Sequence, residues 1–135
     1  MQTFLPYPEF QRSAKCLDRQ RLGKQRVEVL QILRTLNGET DGWANHPAVR
    51  MWRDYVEALV EYGTEICLEW IRRGYRDQCA ARILDQSWGN DLVYPPWITD
   101  EFCLAHQSNL VRKLPEYYRR YFPEVPDNLP YIWPV

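Results

Sequence analysis

The most constraining feature of the sequence is one long amphipathic pattern near its middle. Between residues 47 and 73, apolar side chains recur at the spacing that places them on one face of an α-helix. This stripe contains Val49, Trp52, Val56, Leu59, Val60, Ile66, Cys67, Trp70 and Ile71. Asn45 or His46 is placed to cap its start, and Gly74 follows two arginines at its end. The pattern predicts one helix about 40 Å long, around which the rest of the chain must pack.

A second helical pattern precedes it, from about residue 14 to Leu36. Ser13 is its candidate N-cap, and Asn37 followed by glycine is its stop signal. Gly23 interrupts the pattern, at a cost of about 1 kcal/mol relative to alanine. This glycine indicates a kink or a close approach by a backbone or a ligand; the alternative is a helix that starts only after Gly23.

Shorter helices and an extended tail complete the chain. The helices are predicted at 78–86, from the cap Thr99 to about Leu114, and from Pro115 through Tyr121. The tail, at 122–135, contains four prolines and several aromatic residues, so we expect it to be extended and packed onto the body. No alternating strand pattern and no internal repeat is present. We therefore predict an all-α fold: one compact domain over 1–135, with about three main helices, short helices and an extended C-terminal tail.

The charge distribution is more informative than the net charge. The total is −1, which by itself argues against a uniformly basic nucleic-acid binder. However, residues 12–28 hold six basic and two acidic side chains, and residues 112–120 hold four and one. The acidic residues concentrate on the long helix, as Asp54, Glu57, Glu61, Glu65 and Glu69. The two basic segments, the second rich in tyrosine, can bind phosphates and bases; alternatively, they pair with the acidic helix.

Several classes of protein are disfavoured by the sequence. No apolar run approaches the length of a membrane span, and the first residues do not resemble a signal peptide, so we predict a cytoplasmic protein. The irregularly spaced cysteines are most simply small buried side chains; they are Cys16, Cys67, Cys79 and Cys103. With only two histidines in the chain, we predict no metal site and no cofactor.

Several segments together resemble one family, the pyrimidine dimer DNA glycosylases (endonuclease V). The similar segments are DYVEAL (54–59), Glu65, Glu69, IRRGY (71–75), DEFCLAHQSNLVRK (100–113) and PEYYRRYF (115–122). The first four resemble the family's long central helix, the fifth resembles its third helix, and the last resembles the C-terminal segment that lies against DNA. LGKQRVE, NHPAVRMW and HQSNL are more similar to a bacterial branch of the family. The resemblance extends over about residues 1–122.

The resemblance implies a compact all-α fold and an amine-based mechanism. The N-terminal α-amine attacks the sugar C1′ of a damaged nucleotide and forms a Schiff base, assisted by a glutamate, and β-elimination then nicks the strand. The large Gln2 is expected to leave Met1 in place, so the amine would be that of Met1. The family's glutamate aligns with Gly23. Glu28 or Asp18 is therefore the candidate carboxylate, and Lys24 is an alternative amine.

The candidate nucleic-acid contacts lie in the two basic segments. They are Arg19, Arg21, Arg26, Tyr117, Tyr118, Arg119 and Arg120, of which Arg26 matches a family phosphate contact. A candidate pocket for a base edge comprises His46, His106, Gln107 and Asn109. For the two histidines, the alternatives are a helix cap and a structural role, respectively.

The leading hypothesis is a monomeric DNA glycosylase, with possible AP-lyase nicking, whose partner is a duplex with a damaged or modified base. The alternatives are a non-catalytic nucleic-acid-binding module and an enzyme that acts on free nucleotides. The leading hypothesis predicts that Met1 lies near Glu28, in a cleft between the two basic segments.

Overall fold

Residues 1–135 are all described by the computed structural model, which consists of seven helices and no strand. The helices are α1 (Phe10–Cys16), α2 (Arg19–Leu36), α3 (Pro47–Arg50), α4 (Val56–Arg72), α5 (Ala80–Leu84), α6 (Asp100–Lys113) and α7 (Pro115–Tyr118). The predicted all-α class is confirmed. Helix α4 packs against α1, α2 and α5, so the apolar stripe of the sequence forms the centre of the core. None of the helices combines the length and the apolar character that a membrane crossing requires.

The predicted first helix is two helices. The chain is extended at Leu17 and Asp18, where α1 ends and α2 begins. Asp18 caps α2 by accepting the Arg21 N–H, and its own N–H donates to the Tyr118 hydroxyl at 2.9 Å. The prediction of Ser13 as the N-cap is therefore wrong; Ser13 lies inside α1, where its hydroxyl accepts the Tyr7 N–H. The break depends on a contact with α7, which helical periodicity cannot reveal.

The predicted helix over 47–73 is also divided. His46 caps α3 as expected, but residues 51–55 form tight turns, in which the Trp52 N–H donates to the Val49 carbonyl. Trp52 is fully buried and donates its indole N–H to Thr3 Oγ1 at 3.0 Å. The turns keep apolar side chains pointing inward, so the stripe looks continuous in the sequence although the helix does not continue. Helix α4 alone has 17 residues, a length of about 26 Å.

Helix α6 holds both ends of the chain in place. Its cap, Thr99, is as predicted, and its polar stretch at 106–109 binds two extended segments. On one side, His106 Nδ1 accepts the Leu5 N–H and the Gln107 amide donates to the Pro6 carbonyl. On the other side, Ser108 Oγ accepts the Leu129 N–H and the Asn109 amide donates to the Leu129 carbonyl. The N-terminal segment and the C-terminal tail are thereby both brought alongside α2.

Candidate active site

A cavity of about 420 Å³ opens where the N-terminal segment, α2, the end of α6 and the tail meet. We call it the N-terminal cavity. Its lining consists of Met1, Gln2, Phe4, Gln20, Arg21, Lys24, Gln25, Glu28, Lys113, Tyr131 and Trp133. The cavity therefore brings together Met1, Glu28 and cations from both basic segments, as the leading hypothesis predicts.

The Glu28 carboxylate is fixed beside the start of the chain. Its Oε2 accepts the Gln2 N–H at 3.1 Å, so the carboxylate lies against the peptide that follows Met1. Gln25, one turn earlier on α2, donates its amide to the Gln2 carbonyl at 2.7 Å and to Glu28 at 3.4 Å. The Gln25 amide oxygen in turn accepts the Phe4 N–H and the buried Tyr62 hydroxyl. These bonds hold the first residues in one position relative to α2.

The charges around the cavity are mostly basic. Lys24 and Lys113 are exposed and form no ion pair, and Arg21 is paired with Asp18 at 3.2 Å. Glu28 is the only acidic residue in the lining. An anionic ligand would therefore meet a local positive field, whereas the protein as a whole is close to neutral.

His46 lies close enough to the N-terminal ammonium and to Glu28 for both charges to affect its pKa. Its Nδ1 accepts the Ala48 N–H at 3.0 Å as the cap of α3, and its ring meets the edge of Trp133 with centroids 6.0 Å apart. Burial lowers the pKa of His46, the N-terminal ammonium lowers it further, and Glu28 raises it. A lowered pKa keeps the imidazole neutral near pH 7, consistent with its role as a hydrogen-bond acceptor at the cap.

The other residues of the predicted base pocket lie behind the cavity. His106 is completely buried, and burial lowers its pKa to about 3. Its ring packs against Phe4, Phe102 and Tyr131. Gln107 and Asn109 are occupied by backbone carbonyls of the two chain ends. These three side chains support the cavity wall and do not line the cavity.

Gly23 and Arg26 face away from the cavity. A Cβ at Gly23 would lie 3.1 Å from the Trp70 indole, so the group close to Gly23 is a side chain and not the backbone or ligand expected from the sequence. The alternative of a helix starting only after Gly23 is wrong, because α2 begins at Arg19. Arg26 lies over the same indole and pairs with Asp77 at 2.8 Å. Position 23 thus faces α4, while Lys24 and Glu28 face the cavity.

The remaining predicted nucleic-acid contacts have different surroundings. Arg19 is exposed at the first turn of α2 and forms no ion pair. Tyr118 is fully buried and donates its hydroxyl to Asp18 Oδ1, while Tyr117 is partly buried. Arg119 donates to the carbonyls at 122, 123 and 125, whereas Arg120 is exposed and lies over the Tyr117 ring at 4.6 Å. The DNA contacts proposed for these residues stay predictions.

Sequence reasoning missed Gln2, Gln25, Lys113, Tyr131 and Trp133 as parts of the site. The sequence did contain a signal for Tyr131 and Trp133. Aromatic residues two positions apart in an extended chain point to the same side, so Tyr131 and Trp133 were candidates for one wall of a pocket. For Gln2 and Gln25 the sequence offers no such signal, because their pairing depends on how the N-terminal segment lies along α2.

The family model described as pyrimidine dimer DNA glycosylase matches residues 1–83. The matched residues include Met1, all of α2 and Glu28, and exclude α6, α7 and the tail. No curated protein and no solved structure matches the chain significantly.

Proposed function

We propose, since the chain belongs to the pyrimidine dimer DNA glycosylase family, that it removes a damaged or modified base from duplex DNA by amine chemistry. The observation that carries the proposal is the hydrogen bond between Glu28 Oε2 and the Gln2 N–H. It places a carboxylate beside the first residue, in a cavity with a basic rim. The family resemblance supplies the type of reaction, and the cavity supplies the candidate groups.

The proposed nucleophile is the α-amine of Met1. Its nitrogen attacks the sugar C1′, the N-glycosidic bond breaks, and the base leaves with the bonding electron pair and takes up a proton. The attached nitrogen loses one proton and keeps the other. The C1′–O4′ bond then breaks, O4′ takes up a proton, and the product is an iminium ion between the enzyme nitrogen and C1′ of the opened sugar. Removal of a C2′ proton then expels the 3′ phosphate and nicks the strand.

Glu28 is the proposed acid–base group of this sequence. Its carboxylate is suited to accept a proton from the attacking amine and to stabilise the positive iminium that forms beside it. Arg21, Lys24 and Lys113 surround the same cavity and are the proposed contacts to the phosphates on either side of the reacting sugar. The proposal includes action as a monomer, because every residue that lines the cavity belongs to one chain.

The experiment is reductive trapping with borohydride on a duplex that contains an abasic site, alongside a panel of damaged duplexes that includes a thymine dimer. Borohydride reduces the iminium to a stable secondary amine, so a covalent adduct reports the amine directly. We expect an adduct with the wild type and a loss of about a hundredfold or more in trapping rate for Glu28→Gln. Glu124→Gln, an exposed carboxylate on the tail, is the matched control and should trap normally.

Mass spectrometry of the adduct identifies the amine. Intact mass first establishes which residue begins the purified chain; peptide mapping then places the adduct at the Met1 α-amine or at Lys24. An adduct on Lys24 would identify Lys24 as the nucleophile, and the reaction would still be base removal by an amine. Salt-dependent duplex binding without any adduct would instead indicate a non-catalytic binding module, and tight nucleotide binding without duplex binding would indicate an enzyme of free nucleotides.

A further inference from the structure

The tail supplies one wall of the N-terminal cavity, although it lies outside the residues that the family model matches. Tyr131 and Trp133 line the cavity together with residues of α2, and both are partly buried. Their rings are 5.6 Å apart and inclined at 53°. The chemistry of this wall is therefore a property of this chain that family membership does not specify.

This wall is held in place before any ligand binds. Ser108 and Asn109 fix the backbone of Leu129, and Arg112 donates to the Asp127 carbonyl at 2.9 Å. Further along, Tyr131 packs against the buried His106 ring, with centroids 5.5 Å apart. Since the segment is anchored to a long helix, a ligand need not order it on binding, which favours affinity.

Trp133 is available to a ligand in a way that most large aromatic side chains of this protein are not. Its ring touches His46 and Tyr131 edge-on or at a tilt, and neither contact is a stacked pair. Its indole N–H and the Tyr131 hydroxyl donate to no group within the chain. Trp70, in contrast, is stacked on Tyr75 at 4.3 Å and donates to the Arg76 carbonyl.

The two sides of the cavity differ in the ligand groups they would bind. The α2 side offers Arg21, Lys24 and Glu28, which suit phosphates and a reacting sugar. The tail side offers an aromatic surface, which suits a flat ring. A nucleotide, which joins a planar base to an anionic sugar–phosphate chain, satisfies both sides, and a base inside a duplex cannot present its face to such a wall.

We infer that Trp133 is the stacking surface for a single nucleobase turned out of the duplex, and that it selects which base brings its sugar to Met1. This inference rests on the proposed function and adds to it the form in which the substrate is bound. Tyr131 positions the indole, and its hydroxyl is available to the edge of the bound base. Selection then follows from how well each base stacks and which edge it presents.

The test uses a duplex with one 2-aminopurine placed opposite a tetrahydrofuran abasic analogue. The fluorescence of this base rises when it leaves the helix and is quenched when it stacks on an indole. Trp133→Leu fills most of the apolar volume but removes the aromatic face. We expect its saturated complex to be at least about twofold brighter than that of the wild type. Trp88→Leu, at an exposed tryptophan that does not line the cavity, is the control and should match the wild type.

A second measurement needs only the wild type, so it remains valid if the variant does not fold. The wild type should bind the 2-aminopurine duplex about tenfold more tightly than a duplex with tetrahydrofuran at both positions, because stacking contributes that much per base. Equal brightness of the wild-type and Trp133→Leu complexes, or equal affinity for the two duplexes, would overturn the inference. Failure of the proposed function is distinct, since it appears as no borohydride adduct between the wild type and an abasic duplex.

Discussion

The two basic segments look alike in the sequence and differ in the folded protein. In residues 12–28, α2 turns Arg21 and Lys24 toward the N-terminal cavity. In residues 112–120, only Lys113 reaches that cavity, while Arg112 and Arg119 donate to backbone carbonyls of the tail. The difference shows that a run of basic residues in the sequence does not by itself predict a binding surface. Only the cations that form no hydrogen bonds within the chain remain available to a ligand. The first segment brings the unpaired Lys24 and the Asp18-paired Arg21 to the cavity, and the second mainly fastens the tail and contributes only Lys113 to the cavity.

The strongest test of this contrast is at Tyr118. If the second segment is structural, Tyr118→Ala removes a fully buried ring and the partner of both the Asp18 N–H and its carboxylate. We expect the free energy of unfolding to fall by about 3–5 kcal/mol, measured by chemical denaturation. Tyr121→Ala, at a neighbouring exposed tyrosine, should cost less than about 1 kcal/mol. Equal losses in the two variants would contradict the structural role.

The pH dependence of the free energy of unfolding tests the burial of His106. This residue lies on α6, the helix that leads into the second basic segment. His106 has a pKa of about 3 in the folded chain, against about 6.5 in an unfolded one. Between these two pKa values His106 is protonated in the unfolded state and neutral in the folded state. Lowering the pH through this range therefore favours unfolding. We expect the wild type to lose roughly 2 kcal/mol from this group between pH 7.5 and pH 5.

The same denaturation measurements on His106→Asn isolate the contribution of His106 to the pH dependence of the free energy of unfolding. This variant should be less stable near neutral pH, since it loses packing, but it should show a flatter profile between those two pH values. His46→Asn is the comparison at a partly exposed histidine, where the change in slope should be much smaller. A wild-type profile as flat as that of His106→Asn would show that His106 binds a proton as readily in the folded state as in the unfolded state.

These contrasts also show what the sequence could and could not predict. Caps such as Thr99 and His46, and the periodic stripe of α4, depend on nearby residues and were predicted. The breaks at 17–18 and 51–55 depend on distant partners, such as the Tyr118 hydroxyl and Thr3, and were not. Similarly, Glu28 was a candidate because of its residue type and helix. Its hydrogen bond to Gln2 spans 26 residues of sequence and emerges only from the fold.

The salt dependence of DNA binding separates the free cations from the engaged ones. Lys24→Ala combined with Lys113→Ala removes two unpaired lysines at the cavity. We expect the slope of log affinity against log salt concentration to decrease in magnitude by about 2 for duplex DNA. Arg119→Ala, whose guanidinium is occupied by the tail, should leave the slope unchanged. A decrease in slope for Arg119→Ala would assign Arg119, in addition to Lys113, to the DNA interface.

The smallest expected effect sharpens the comparison between the two faces of α2. The family's glutamate aligns with Gly23, so Gly23→Glu in the Glu28→Gln background places a carboxylate where the alignment would have it. However, position 23 faces Trp70, which is held by Tyr75, the Arg76 carbonyl and Arg26. We expect no recovery of borohydride trapping, because the new side chain has to leave a crowded face of the helix that is turned from Met1. Recovery to within about tenfold of the wild-type rate would show instead that position 23 reaches the cavity, and that Glu28 acts only by holding Gln2.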